Sequence, residues 1–87
     1  MNIKKGYILA KQLRAARVLI GWEQRHLAEA AGLAIGTIRR MEASVGAVRG
    51  TADNVWKVQH TLENSGVVFI NENGGGPGVR LKKRRGE

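Results

Sequence analysis

The chain contains no cysteine, so it can build neither a disulfide framework nor a thiolate metal site. It has no apolar run of about 18 residues or more, the length a membrane-spanning helix requires. The opening "MNIKKGYILAKQLR" offers only Tyr7 to Ala10 as an apolar stretch, too short for a secretion signal, and a cytoplasmic location is expected. The two histidines, His26 and His60, have no nearby Cys, His or acidic cluster of ligand spacing. Both read as surface residues, and no metal is expected. No Ser/His/Asp set and no paired carboxylates suggest catalysis, so the chain does not read as an enzyme. "GGGPG" is rich in glycine, but neither Lys-Ser/Thr nor a helical pattern follows it, as a phosphate-binding loop would need. It reads as a hairpin turn, and no cofactor or small-molecule ligand is expected.

Acidic residues are also scarce. The 87 residues include 15 Lys+Arg against 7 Asp+Glu, a net charge of +8. Part of the excess lies in Arg80, Lys82, Lys83, Arg84 and Arg85, yet residues 1–79 alone keep 10 basic and 6 acidic groups. A basic small domain favours nucleic acid as partner, with an anionic membrane surface or an acidic protein as rivals. A chain of this length suits one small domain with a modest core, whose stability oligomerisation would assist.

Apolar periodicity organises the rest. Leu9, Leu13, Ala16 and Ile20 mark one face of a helix that Gly21 ends. A second helix is expected over 23–31 with Leu27, Ala28 and Ala31 inward, broken by Gly32. A third, over 34–43, would bury Ile38 and Met41. "SVGAVRGTAD", Ser44 to Asp53, reads as a loop, and Asn54 as the N-cap of a fourth helix carrying Val55, Val58 and Leu62 to about Ser65. After Gly66 the pattern shortens: "VVFIN", then the turn "ENGGGPG", then "VRLKK", a β-hairpin or two edge strands. The organisation expected is a helical unit over 1–66, a β extension over 67–82 and a basic disordered tail over 83–87.

The stretch "LAEAAGLAIGTIRRME" is spaced like a helix-turn-helix. Ala28 is small where two helices would cross, Gly32 supplies a positive φ for the turn, and Leu33, Ile38 and Met41 bury the inner side of the second helix. Ile35, Gly36, Thr37, Arg39 and Arg40 are left on its outer side, available to a DNA major groove. An ordinary αα-hairpin has the same spacing.

The segment "QLRAARVLIGWEQRHLAEAAGLAIGTIRRME", Gln12 to Glu42, resembles the Cro/CI (XRE) family of helix-turn-helix regulators. "GVVFINENGGGPGVRL", Gly66 to Leu81, resembles the ending of a subgroup of short bacterial members. The resemblance implies a mainly α, four-helix repressor-like domain followed by the β-hairpin, acting as a transcriptional regulator, in most cases a repressor, on double-stranded DNA at the bacterial nucleoid. By position it implies that Gln24 meets a phosphate and that Arg17 and Glu42 form an ion pair between the first helix and the end of the recognition helix.

Base readout departs from the family pattern. Ala34 stands where Ser or Thr usually caps the recognition helix, and Ile35 and Gly36 stand where longer polar side chains usually reach bases. Ile35 would meet a thymine methyl, Gly36 offers backbone alone, and Thr37 and Arg40 are the polar base-contacting candidates. Arg14, Arg25, Arg39 and Arg49 are the phosphate candidates beside Gln24. A homodimer is expected, with Trp56 and the strand residues Val67, Val68, Phe69 and Ile70 as its candidate interface, because an unpaired strand edge invites a second copy. Two alternatives stay open: a protein-binding module on the same scaffold, and an architectural DNA binder of low sequence preference.

Overall fold

A buried glutamine joins the two ends of the domain. Gln12 is 6% exposed. Its Oε1 accepts from the Leu9 N–H at 2.9 Å, and its Nε2 donates to the carbonyl oxygens of Ile70 at 3.1 Å and Gly78 at 3.0 Å. The first bond satisfies an orphan donor at the start of helix α1, Ala10–Leu19. The other two hold the loop end of an antiparallel hairpin, β1 (Val67–Ile70) with β2 (Gly78–Leu81), in which Val67 faces Leu81 and Ile70 faces Gly78. Between them come α2 (Gln24–Ala31), α3 (Ile35–Glu42) and α4 (Ala52–Asn64). The computed structural model describes residues 8–83, and the sequence-based assignments for residues 1–7 and 84–87 lie outside them.

One core unites helices and hairpin. Leu13 and Ala16 of α1, Leu27 and Ala28 of α2, Ile38 and Met41 of α3, Val55, Val58 and Leu62 of α4, and Val67 of β1 form a single buried cluster with Ile8. Phe69 and Val79 cover it from the hairpin side. Residues 67–82 therefore share the core of residues 8–66. The α1 stripe is centred on Leu13 and Ala16, while Leu9 and Ile20 at its ends are half-buried.

The fourth helix starts earlier than its sequence suggests. Thr51, not Asn54, is the N-cap, and its hydroxyl oxygen accepts from the Asn54 N–H at 3.1 Å. Thr51 supplies the same capping chemistry three residues upstream, and Asn54 lies within the first turn. The preceding loop is pinned to the entry of α1: Ala10 N–H donates to the Gly46 carbonyl at 2.8 Å and Val48 N–H to the Ile8 carbonyl at 2.9 Å. Gly50, at φ +145°, closes this loop against the core. A Cβ there would sit 3.2 Å from Met41 Cε, so both its backbone conformation and its surroundings disfavour a side chain.

Replacing Gln12 by Ala strands one buried donor and removes the hold on two carbonyls. The expected loss is about 1–3 kcal/mol in urea denaturation. Hydrogen exchange checks the location: amides of β1 and β2 should lose protection before those of α2.

Candidate functional site

Helices α2 and α3 meet through a turn of three residues. Gly32 caps α2 at φ 72°, ψ 34°, a left-handed conformation, and Leu33 N–H donates back to the Ala28 carbonyl at 2.9 Å. That reversal lets Ala28 and Leu27 face Ile38 and Met41 in the core, and turns the remaining side of α3 outward.

The far end of α3 is locked by charge. Glu42 accepts from Arg17 twice, Nε to Oε2 at 2.6 Å and Nη2 to Oε1 at 3.0 Å, a bidentate pair. Arg17 Nη1 donates to the Trp22 carbonyl at 2.8 Å, so one guanidinium ties α1, the turn into α2 and the last residue of α3. Gln24 Nε2 adds a third donor to Glu42 Oε1 at 3.0 Å. The side chains of Arg17 and Glu42 are only 14% and 4% exposed, so desolvation offsets much of the attraction and geometric definition is the main result. The Arg17 pKa is raised, first by the hydrogen bond with Glu42 and then by its charge, with burial acting in the opposite direction. A raised folded-state value means that this contribution is fully present below the ordinary arginine pKa. It is lost only as pH rises through the raised value, so Arg17 stays charged at neutral pH.

Not all of the expected base readers face outward. Ala34 is the N-cap of α3 and provides no side-chain bond. Ile35 is half-buried and packs against the core, so only part of its side chain remains accessible for the contact expected with a thymine methyl. Gly36 lies in the first turn, where it costs the helix about 1 kcal/mol relative to Ala. Thr37 Oγ1 accepts from Arg40 Nη2 at 3.3 Å. Arg39 and Arg40 are exposed, as are Arg14 on α1 and Arg25 on α2. Gln24, expected at a phosphate, has its side-chain NH₂ engaged with Glu42. That bond uses one of the two amide hydrogens, so the second and the backbone N–H are the donors left for a phosphate.

The loop after α3 extends this surface. Ser44 Oγ donates to the Arg40 carbonyl at 3.2 Å and accepts from the Arg49 N–H at 3.0 Å, closing the loop on itself. Arg40, Ser44, Val45 and Arg49 line an open hollow there. Val45 is 95% exposed at the tip of this pinned loop. Sequence periodicity could not flag it, since Val45 and Val48 lie in an irregular loop with no repeating pattern.

The hairpin and α4 form a separate surface. Trp56 is 52% exposed and lies flat on His60, ring centroids 4.4 Å apart and 14° from parallel. Trp22 and His26 stack in the same way at 4.0 Å. Val67 is 3% exposed, so its side chain belongs to the core and is withdrawn from the interface expected for it. Val68, Phe69 and Ile70 are half-buried. The glycine loop is closed by its own acid: Glu72 Oε2 accepts from Gly74 and Gly76 N–H at 3.2 and 3.3 Å, and Asn73 Oδ1 from Gly75 N–H at 3.2 Å. Among the described residues no group of three or more potential metal ligands occurs, and no helix is long and apolar enough to cross a membrane. No protein-family model and no curated protein matches the chain.

Arg17→Ala leaves the Glu42 carboxylate buried with Gln24 alone, and a loss of about 3–5 kcal/mol in denaturant titration is expected. Replacing both partners by apolar residues, Arg17→Met with Glu42→Leu, should restore much of that loss, because no charge is then stranded.

Proposed function

We propose that the chain is a sequence-specific DNA-binding transcriptional regulator, a repressor of the Cro/CI type, in which α2, the Gly32 turn and α3 act as a helix-turn-helix. The observation that carries this reading is the outward side of α3. It presents Arg39 and Arg40 unpaired by any carboxylate among the described residues, while the base of the helix is clamped by Arg17, Gln24 and Glu42. Two unneutralised arginines on a rigid, exposed helix match the edge chemistry of guanine and the charge of the phosphate backbone. Arg40 is the base reader. Arg39 and, from the flanks, Arg14, Arg25 and Arg49 meet phosphates. Thr37 contributes through its hydroxyl.

A homodimer completes the proposal. Trp56 with the edge of β1 at Val68 to Ile70 is the surface assigned to the second copy. Two recognition helices would then lie about 34 Å apart on a palindromic operator. Sedimentation of the protein with and without its DNA checks the assembly. A monomer at micromolar concentration in both states would remove it.

Selection from a random DNA pool at about 150 mM salt tests the function directly. Enrichment of a palindromic motif is expected. A bare AT preference would indicate an architectural binder, and no enrichment a protein-binding module, and either result overturns the proposal. Affinity for the selected site should fall steeply with salt as phosphate-bound counterions are released. Arg40→Ala should lose about 1–3 kcal/mol of binding and relax one operator position.

A further inference from the structure

Gly36 has a second use beside exposing backbone. An ideal Cβ placed on it would lie 3.5 Å from Arg40 Nη1, and the same guanidinium donates through Nη2 to Thr37 Oγ1 at 3.3 Å. Gly36 and Thr37 precede Arg40 by four and three residues, the places over which a helical side chain naturally leans. Arg40 therefore lies back along the outer side of α3, over a position with no side chain and beside a hydroxyl that holds it. Arg39, by contrast, has no hydrogen-bonding side-chain partner among the described residues and no such seat.

We propose that Gly36 and Thr37 form a seat that presets the Arg40 guanidinium, and that position 36 thereby determines where along the groove this arginine reads. The inference rests on the DNA-reading function proposed above. Arginine loses much rotamer freedom when it docks bidentately, and a guanidinium already held in one place loses less. The bond to Thr37 uses one of five N–H donors, so a two-donor edge stays free for guanine O6 and N7. The seat also moves the charged group from the last turn of α3 toward its middle, opposite the groove floor. Gly36 and Thr37 are thus positioning residues, and the base contact belongs to Arg40. What the seat requires at position 36 is a side chain no larger than a methyl group, since a Cβ there meets the guanidinium at ordinary contact distance.

Four variants of the full chain separate the seat from the fold. Ala and Val both favour a helix over Gly, so Gly36→Ala and Gly36→Val should keep or raise Tm. Ala makes only ordinary contact with Arg40, whereas Val branches at Cβ with restricted rotamers and occupies its place. Thr37→Val keeps shape and removes the acceptor, and Arg40→Ala removes the reader. In the free protein, ¹⁵Nε–Hε relaxation should show Arg40 more ordered than Arg39. Thr37→Val and Gly36→Val should bring Arg40 to the Arg39 level, and Gly36→Ala should not. On the DNA site selected by the wild type, Thr37→Val should lose about tenfold in affinity and relax the same base position as Arg40→Ala. The double variant should bind within about twofold of Arg40→Ala alone, because the two residues act through one contact.

An Arg40 as mobile as Arg39 in the wild type, or losses from Thr37→Val and Arg40→Ala that simply add, would overturn the seat while leaving DNA recognition intact. A wild type that selects no sequence would overturn the recognition itself and the specificity role with it.

Discussion

The arrangement of this domain depends on a charge that cannot be left alone. Glu42 ends α3 inside the protein, and an ionised carboxylate there is tolerable only with donors on both oxygens. Arg17 supplies two bonds and Gln24 a third. Because those donors come from α1 and the start of α2, the three helices are fixed in mutual position by one hydrogen-bonded node. Apolar contacts in the core tolerate small slides; a bidentate fork does not. The rigidity of α3, and hence any use of its outer side, follows from that node more than from the helix's own composition, which includes a glycine in its first turn and no side-chain cap.

A second set of ties acts on the other side of α3. The loop from Ser44 to Gly50 is bonded to Ile8 and Ala10 on one side and to the end of α3 on the other. Gly50 then lets the backbone close onto Met41. The result is a short helix clamped by polar bonds at its C-terminal end and held at its N-terminal end by the apolar packing of Leu33 and Ile35. The exposed side chains of α3, Arg39 and Arg40 among them, take no part in that clamp.

Helix number, the Gly32 turn, the inner residues Leu27, Ala28, Ile38 and Met41 and the hairpin at Val67 were legible because each follows from a local period or a local backbone requirement. What was not legible depends on choice between equivalent chemistries or on distant contacts. Thr51 and Asn54 are both good caps, and only tertiary placement decides for Thr51. Ile35 looks outward on a helical wheel, but the first turn sits close enough to the core for a long apolar side chain to fold back. Gln12 reads as one more polar residue on α1, since its partners lie 58 and 66 residues away. The spacing of Gly36, Thr37 and Arg40 was visible. Its meaning was not, because the absence of a side chain shows its use only when something occupies the space.

The reach of Gln12 also has a consequence in time. Helices α1 to α3 are sequence neighbours and can meet early, since short loops close quickly. Val67 and the two carbonyls that Gln12 holds are made after all four helices. Until they emerge from the ribosome, Gln12 has donors without acceptors and the core has an open side. The hairpin is thus a clasp: a nascent chain passes through a stage in which its helices are present but unsealed, and the fold shuts only once residues 67–81 have joined it.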